Sequence, residues 1–323
     1  MENKPLISVV LSFRNEEDVI PELISRLEKT LGQLPVDHEL IFVNDRSSDG
    51  SRRLLLEKMK ANKRVKLLNM SRTFGVTPCV LAGLEYSSGD AVIYMDADLQ
   101  DPPEVIPEMV KLWQAEPDID VIHTKRLSRA GESQFKLWLT RLGYAILRRV
   151  SNVSIEPEVG DFKLLSRRVV DQLVKLREKR PFMRGLVNWI GFNARTITYR
   201  REARFAGRTK FLPTSWAVIS NFIDSALISF SDMPLKLSLL LGYLVSFGAF
   251  AYLIVVFIQK WMGISLPGWS AMMATMLMLG GVQLLTLGVM GLYLNAIFVE
   301  TKGRPNFIVE SSYGFEKNDD LKA

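Results

Sequence analysis

The stretch VIYMDADLQDPPE, residues 92–104, places several carboxylates directly after a short apolar run. Asp96 and Asp98 are separated by one residue, and Gln100 adds an amide oxygen two residues further on. Hard divalent cations such as Mg²⁺ bind oxygen ligands, and Mg²⁺ takes one or two protein carboxylates beside water and substrate phosphates. The spacing therefore favours a metal site at Asp96, Asp98 and Gln100, although by itself it also allows an acidic surface turn.

The same stretch ends with Asp101 and Glu104 on either side of two prolines. Proline is favoured at the first position of a helix, and acidic side chains stabilise the positive end of the helix dipole. We therefore expect a helix that begins near Pro103. Asp101 should cap this helix, and Glu104 should lie in its first turn.

The elements that position these residues follow a repeated pattern of strands and helices. Apolar runs rich in β-branched residues alternate with amphipathic stretches, and this alternation predicts an α/β fold with a mostly parallel sheet and helices on both faces. The predicted strands are residues 6–13, 38–45, 65–71, 91–98 and 119–125, and the predicted helices are residues 16–34, 49–61 and 77–89. Ligands of such sheets bind beyond the carboxyl ends of the strands.

Polar side chains occur at those strand ends. Glu16 follows the first predicted strand, Asp45 ends the second, and Asp96 and Asp98 end the fourth. A carboxylate such as Asp45 can accept hydrogen bonds from a base or a ribose. Neither a G-x-G-x-x-G nor a P-loop pattern occurs, which disfavours a dinucleotide site or a Walker ATPase. We expect no nucleic-acid partner and no Cys/His zinc site.

Two long uncharged segments lie towards the end of the chain. The 323 residues carry a formal net charge of +6, but residues 237–259 and 261–299 contain no Asp, Glu, Lys or Arg. About 20 apolar residues in a helix cross a hydrocarbon core of about 30 Å. The pattern predicts two transmembrane helices, and buried helices of a soluble protein are the less favoured alternative.

The basic residues predict the orientation of these helices. The uncharged segments are flanked upstream by Arg200, Arg201, Arg204, Arg208, Lys210 and Lys236, and downstream by Lys302, Arg304 and Lys317. The connecting loop has only Lys260, so both termini should face the cytoplasm. The single cysteine, Cys79, agrees with a reducing compartment, and the short apolar run near the N-terminus does not resemble a signal peptide. The predicted parts are a catalytic domain (1–210), interfacial helices or a linker (211–233), two spans (234–299) and a cytoplasmic tail (300–323). The charged end of the tail, residues 314–323, is expected to be disordered.

Seven ordered motifs resemble those of a known family. The chain is similar to the polyisoprenyl-phosphate glycosyltransferases of glycosyltransferase family 2, which include bactoprenol glucosyltransferases and dolichol-phosphate mannose synthases and have the GT-A fold. The motifs are VVLSFRNEEDV, FVNDRSSDGS, SRTFG, YMDADLQDPPEVI, VGDFKLLSR, FMRGLVNWIGF and REARFAGRTKF, followed by two spans and ETKGRP. This chain departs from the family pattern at Ser12 and Arg14, where the family commonly has Pro and Tyr. It also departs at Thr73 and Val76, where Asn and Lys are frequent.

This resemblance implies an activity and a set of site residues. The enzyme would transfer a sugar, with glucose from UDP-glucose expected, to a polyisoprenyl phosphate on the cytoplasmic face of a bacterial inner membrane. Mg²⁺ or Mn²⁺ would serve as the cofactor, and the protein would form homo-oligomers, with tetramers as one form. The implied residues are Ser12, Glu16, Asp45, Arg72, Asp96 and Asp98 for the nucleotide-sugar, Asp96, Asp98 and Gln100 for the metal, Arg204, Arg208 and Lys210 for the acceptor phosphate, and Asp161 for catalysis.

The role of Asp161 stays open at this point. The family pattern implies a catalytic base, but a phosphate monoester has a second pKa near 6, by analogy with phosphoserine, and is mostly a dianion at neutral pH. Asp161 would then orient the acceptor, bind a sugar hydroxyl or take the last proton from a monoanion, so it is expected to serve positioning as much as proton transfer. One attacking phosphate and one carboxylate favour a single displacement with inversion. A processive polysaccharide synthase and a non-catalytic membrane scaffold are the rival functions.

Overall fold

The computed structural model describes residues 4–127, 159–179, 181–202, 233–263 and 268–315. The strands are β1 (Leu6–Phe13), β2 (Asp37–Asn44), β3 (Val65–Met70), β4 (Ala91–Asp96), β5 (Val121–Arg126), β6 (Val159–Ser166), β7 (Ala194–Tyr199) and β8 (Val309–Tyr313). The helices are α1 (Ile20–Leu31), α2 (Ser51–Ala61), α3 (Val76–Tyr86), α4 (Ile106–Ala115), α5 (Arg167–Lys175), α6 (Met183–Trp189), α7 (Met233–Trp261) and α8 (Trp269–Thr301). Every strand and helix predicted from periodicity is present, with ends shifted by a few residues.

The eight strands form one sheet in the order β7-β5-β6-β4-β1-β2-β3-β8. Strands β4, β1, β2 and β3 are parallel, as predicted, whereas β6 and β8 run antiparallel to their neighbours. The parallel register pairs Ser12 of β1 with Asp96 of β4. The carboxyl ends of the four central strands therefore meet at one edge of the sheet, and β6 begins at that same edge because it runs the other way.

Two apolar layers cover the faces of the sheet. Side chains alternate along a strand, so Val9 and Leu11 point to one face and Val10 points to the other. The first face packs against α1, α2 and α4, and the second packs against α3, α5 and α6. Helix α3 lies so close to β1 that a Cβ atom added to Gly83 would stand only 2.2 Å from Val10 Cγ1. The absence of a side chain at Gly83 permits this approach. The core thus holds the strand ends in a fixed arrangement.

Helices α7 and α8 pack against each other and expose most of their apolar side chains. Phe247 is 76% exposed and Leu277 is 74% exposed. Both helices are long and apolar enough to cross a membrane, and the rest of the described protein does not bury their most apolar stretches. This agrees with the two uncharged segments of the sequence.

The chain after α8 contains a strand that the sequence did not predict, and residues 314 and 315, the described part of the segment expected to be disordered, pack against the domain. Residues 309–313 form β8, which pairs antiparallel with β3 at the edge of the sheet. The ring of Phe315 then packs edge-to-face on Tyr86, with 5.4 Å between the ring centroids. Apolar and β-sheet contacts with the domain therefore order residues up to 315, whereas residues 316–323 lie outside the described part of the chain.

Strand β8 also constrains how the two long helices are placed. The strands before α7 and the strand after α8 belong to one sheet. The helical hairpin formed by α7 and α8 therefore leaves and re-enters the same folded domain. If the hairpin crosses a membrane, the segments before and after it must lie on the same side.

Candidate active site

Three residues at the carboxyl edge of the sheet have a left-handed backbone although they are not glycine. Asn15 (φ 54°), Arg46 (φ 55°) and Leu99 (φ 58°) each follow the end of a central parallel strand by two or three residues. Such a conformation costs a residue with a side chain about 1–2 kcal/mol, and it is concentrated at functional sites. The tight turns keep the polar side chains after β1, β2 and β4 at the edge.

Asp45 lies at the tip of β2, as predicted, but its carboxylate binds the protein's own backbone. Oδ1 accepts a hydrogen bond from the Phe74 amide at 2.7 Å, and Oδ2 accepts one from the Gly75 amide at 3.1 Å. Gly75 has φ 97°, which favours glycine. Asp45 therefore shapes the loop between β3 and α3.

That loop carries Arg72, another predicted nucleotide ligand. The guanidinium of Arg72 stacks 4.0 Å from the centroid of the Phe74 ring, and Nη1 donates to the Thr73 carbonyl at 3.2 Å. Arg72 itself is exposed. The Asp45 carboxylate and the Arg72 side chain thus belong to one loop structure at the edge of the site.

Ser12 and Glu16 lie on either side of the end of β1, and both are buried. Ser12 Oγ has no hydrogen-bond partner among the residues that the structure describes, and Ser12 is the register neighbour of Asp96. A buried hydroxyl without a partner is uncommon in folded proteins, and a ligand would satisfy it. The backbone of Glu16 has a structural role, because its carbonyl accepts the amides of Val19 and Ile20 at the start of α1.

Asp96 is the last residue of β4, and Asp98 lies two residues beyond it. Burial, followed by the negative charges of Asp98, Asp161 and Asp101, raises the pKa of Asp96 to about 7, and Arg201 offsets part of this effect. Asp98 is buried, and its Oδ1 accepts the backbone amide of Gln100 at 3.1 Å. The excess of negative charge around Asp96 is what a bound cation would neutralise.

The described residues contain no cluster of three or more His, Cys, Asp or Glu side chains that could hold a metal ion. This does not conflict with the predicted donor set, because Mg²⁺ typically uses one or two carboxylates and completes its shell with water and phosphate oxygens. Asp96 and Asp98, together with the amide oxygen of Gln100, fit that kind of site. The fit rests on the unbalanced charge at Asp96.

Asp101 does not cap a helix, so that expectation is wrong. The short 3₁₀ helix Pro103–Val105 follows Pro102 and has no side-chain cap. Asp101 is instead buried and accepts a hydrogen bond from the Tyr199 hydroxyl, with Arg126 Nη2 and Arg201 Nε each 3.7 Å from its Oδ1. The side chain turns inward because these partners, on β5 and around the end of β7, satisfy a buried carboxylate. Burial, followed by the charge of Asp101, raises the pKa of Tyr199 to about 12.

Glu104 lies in the first turn of that short helix, as predicted. Its carboxylate pairs with Arg26 of α1, with Oε1 2.9 Å from Nε and Oε2 2.5 Å from Nη2. Arg26 also donates to Glu202 at 3.0 Å. This network ties α1 to the chain that follows β7.

Asp161 lies near the start of β6, beside the end of β4, and forms a two-point ion pair with Arg184 of α6. Arg184 Nε lies 2.8 Å from Oδ1, and Nη2 lies 2.5 Å from Oδ2. Burial disfavours the charged carboxylate, but the Arg184 hydrogen bonds, with the charges of Arg184, Lys163 and Arg126, hold the pKa of Asp161 below its ordinary value. Asp161 is therefore an ionised partner of a guanidinium and is poorly suited to hold a proton near neutral pH.

Beneath this pair, a fully buried lysine contacts a histidine. Lys163 Nζ lies 3.2 Å from His123 Nδ1. Burial, followed by the charge of Lys163, lowers the pKa of His123 to about 3, so the imidazole is neutral and can accept a hydrogen bond from the ammonium group. His123 is thus a buried partner of Lys163 within the sheet.

Three functional candidates were not identified from the sequence: Arg126, Arg184 and Tyr199. Arg184 lies within the FMRGLVNWIGF motif, which was the only signal that pointed to it. Arg126 ends β5 and Tyr199 ends β7, so both follow the rule that strand ends carry the site. Arg204, Arg208 and Lys210 lie outside the described residues.

Comparisons with known proteins match almost the whole chain. A model of the family described as Glycosyl transferase family 2 matches residues 8–174. The uncharacterized glycosyltransferase YkcC of Bacillus subtilis is 39% identical over 310 residues, covering 96% of this chain and 94% of that protein. The SfII prophage-derived bactoprenol glucosyl transferase of Shigella flexneri is 35% identical over 308 residues, covering 95% and 98%. A crystal structure of glucosyl-3-phosphoglycerate synthase from Mycobacterium tuberculosis has a TM-score of 0.45 and 22% identity, covering 69% of this chain and 80% of that one.

Proposed function

The chain belongs to glycosyl transferase family 2, and on this premise we propose that it transfers a sugar from a nucleotide-sugar to a polyisoprenyl phosphate. The observation that carries the proposal is the similarity to a bactoprenol glucosyl transferase over 95% of this chain, because this similarity includes both the acidic strand edge and the helical hairpin. The word glucosyl in that relative's name supports glucose as the transferred sugar, and we propose UDP-glucose as the donor.

The donor would bind at the carboxyl edge of the central strands. Asp96 and Asp98, with Gln100, would hold Mg²⁺ or Mn²⁺ against the donor diphosphate. The metal would supply stabilisation of the negative charge that develops on the diphosphate leaving group. Ser12 Oγ, which has no hydrogen-bond partner in the described part of the chain, is on the residue paired with Asp96 and would bind the donor. Glu16 and the loop held by Asp45, which carries Arg72, would line the nucleoside end.

The acceptor phosphate would approach from the membrane side, where Arg204, Arg208 and Lys210 would contribute positive charge. A phosphate oxygen would attack the anomeric carbon of the sugar while the bond to the diphosphate breaks. A single displacement inverts the configuration, so an α-linked donor would yield a β-linked product. The pKa of Asp161 is held below its ordinary value, which supports a role in orienting the groups that bind the acceptor.

The hairpin of α7 and α8 would anchor the domain in a bacterial inner membrane, with the domain on the cytoplasmic face. Residues 211–233 lead into α7 and would lie at the headgroup level. The acceptor's phosphate could then reach the site while its prenyl chain stays in the lipid. The product would serve the later glycosylation of O-antigen or another envelope glycan, and homo-oligomers, tetramers included, are part of the proposal.

The test is transfer of labelled glucose from UDP-glucose into an organic-extractable lipid by the purified full chain in vesicles that contain undecaprenyl phosphate. We expect label in the lipid with Mn²⁺ or Mg²⁺, and none after chelation or without undecaprenyl phosphate. Label from a different UDP- or GDP-sugar would correct only the donor. Absence of label with every donor in a panel would overturn the proposed reaction.

A further inference from the structure

The pair of Asp161 and Arg184 joins two elements at the edge of the site. Asp161 comes from β6 and Arg184 from α6, and both carboxylate oxygens are engaged by the guanidinium. The side chains of Asp161 and Arg184 are still 37% and 29% exposed, so the pair reaches the site surface. A carboxylate with both oxygens engaged by a guanidinium is better placed to hold that group than to take a proton.

A second guanidinium, that of Arg126, also lies beside a carboxylate, at a longer distance. Arg126 Nη2 lies 3.7 Å from Asp101, and Arg126 Nε donates to the Tyr199 hydroxyl at 3.2 Å. Burial and the charge of Arg184 disfavour the charged form of Arg126, but Asp101 and Tyr199 keep its pKa above the ordinary value. The charge of Arg184 therefore acts on Arg126, and an anion bound beside the two guanidinium groups would offset this repulsion.

We infer that Arg184 binds the phosphate of the acceptor and that Asp161 is a positioning residue that acts through Arg184. This inference rests on the proposed function and deepens it. Asp161 accepts from Nε and Nη2, so the edge formed by Nη1 and Nη2 would meet the phosphate, whose oxygens match two neighbouring donors of a planar guanidinium. Asp98 and Asp161 both add negative charge at Asp96, so the cation side of the donor site and the Arg184 side are neighbours.

The assigned roles leave no proton for Asp161 to move. The acceptor is a phosphate monoester that is mostly a dianion at neutral pH. One of its oxygens forms the new bond to the anomeric carbon, the bond between that carbon and the donor diphosphate breaks, and the electron pair leaves with the diphosphate. Charge and atoms balance without a base, so Asp161 contributes through the orientation of Arg184.

A double-mutant comparison tests this inference in the full chain in vesicles, with R184Q, D161N and the double variant. Loss of the hydrogen bonds to a charged group weakens binding of that group by roughly 10- to 100-fold. We expect R184Q to raise the KM for undecaprenyl phosphate by about that factor and to change the dissociation constant of UDP by less than about threefold. In the R184Q background, D161N should lower kcat/KM by less than about threefold further.

Three results would overturn the inference. If the losses of R184Q and D161N multiply in the double variant, Asp161 acts independently of Arg184, as a base would. If R184Q weakens UDP binding about tenfold or more while the acceptor KM stays unchanged, Arg184 serves the donor diphosphate. The pH profile separates the roles further: the acidic limb of kcat/KM should persist in D161N, because it reports the acceptor phosphate, whereas loss of that limb would identify Asp161 as the base.

The chain offers a matched control pair. Arg168 of α5 forms a two-point ion pair with Asp120, near the other end of β6. R168Q and D120N should leave the acceptor KM unchanged within about twofold, which separates loss of an ion pair from loss of the site. If R184Q fails to fold, R184K keeps the charge but loses the fork, and it should show the same split between the acceptor KM and UDP affinity. Wild-type protein that transfers no sugar would instead count against the proposed function.

Discussion

The side chain of Asn69 in β3 donates a hydrogen bond to Ser311 Oγ in β8 at 3.0 Å, and so connects the catalytic sheet to the strand that follows the helical hairpin. Asn69 Oδ1 in turn accepts a hydrogen bond from Asn44 Nδ2 at 2.9 Å, and Asn44 Oδ1 accepts the Ser47 amide at 2.8 Å. A row of polar contacts therefore runs from the C-terminal strand to the loop after β2, where Arg46 has its left-handed backbone.

Replacing Asn69 should weaken both the fold and the donor site. In N69L, the buried Asn44 amide loses its acceptor, which costs about 1–3 kcal/mol and should lower the melting temperature by about 2–10 °C. UDP affinity should fall as well, because the loop after β2 loses its support. Differential scanning fluorimetry of the detergent-solubilised chain measures both effects. The control is S312A, a change at an exposed position of the same strand, and an N69L melting curve identical to that of S312A would contradict the prediction.

The metal prediction can be tested at Asp98. In D98N, one of the proposed carboxylate ligands is lost, and transfer should fall by about 100-fold or more because charge on the leaving group is no longer neutralised. The stabilisation of the fold by UDP with Mn²⁺ should fall in parallel. D37N is the matched control, because Asp37 is exposed at the opposite end of β2. Full Mn²⁺-dependent activity in D98N would remove Asp98 from the metal site.

The membrane arrangement predicts which positions are reachable from outside. Because β8 returns to the sheet, residue 310 should lie on the cytoplasmic side, and residue 262, between α7 and α8, should lie outside. Cys79 is the only cysteine and is buried, so the background for thiol labelling should be low. We expect an impermeant maleimide to label M262C in intact spheroplasts and E310C only after permeabilisation. Labelling of both positions from the same side would exclude a hairpin that crosses once in each direction.

The buried His123 predicts a component of acid sensitivity. The folded-state pKa of His123, about 3, is below the unfolded value of 6.5. Between these pH values the unfolded chain binds a proton at His123 and the native chain does not. Stability should therefore fall as the pH drops from about 6.5 towards 3, and the loss from this group is absent above 6.5. H123Q cannot titrate and should lose less melting temperature than wild type between pH 7 and pH 4.5. An equal or steeper loss in H123Q would contradict the assignment.

Much of the architecture was accessible from residue patterns. The alternation of apolar runs and amphipathic stretches predicted β1 to β5 and α1 to α3, because side-chain period depends only on local backbone geometry. The same logic located Asp45, Asp96 and Asp98 at strand ends, and the absence of charge in residues 237–259 and 261–299 predicted the two long helices. These features depend on residues that are close in sequence, so they can be predicted without knowledge of the fold.

The partners of the charged residues depended on the order of the strands. Asp101 was expected to cap a nearby helix, but its bond to Tyr199 spans 98 positions and forms only because the ends of β5 and β7 lie beside the chain that follows β4. The pair Asp161–Arg184 and the contact Asn69–Ser311 likewise need β6 and β8 in their antiparallel places. The sequence alone determined which residues carry charge at the edge of the sheet. The tertiary structure decided which of those charges are already paired, because pairing requires that distant segments bring oppositely charged groups within a few ångströms.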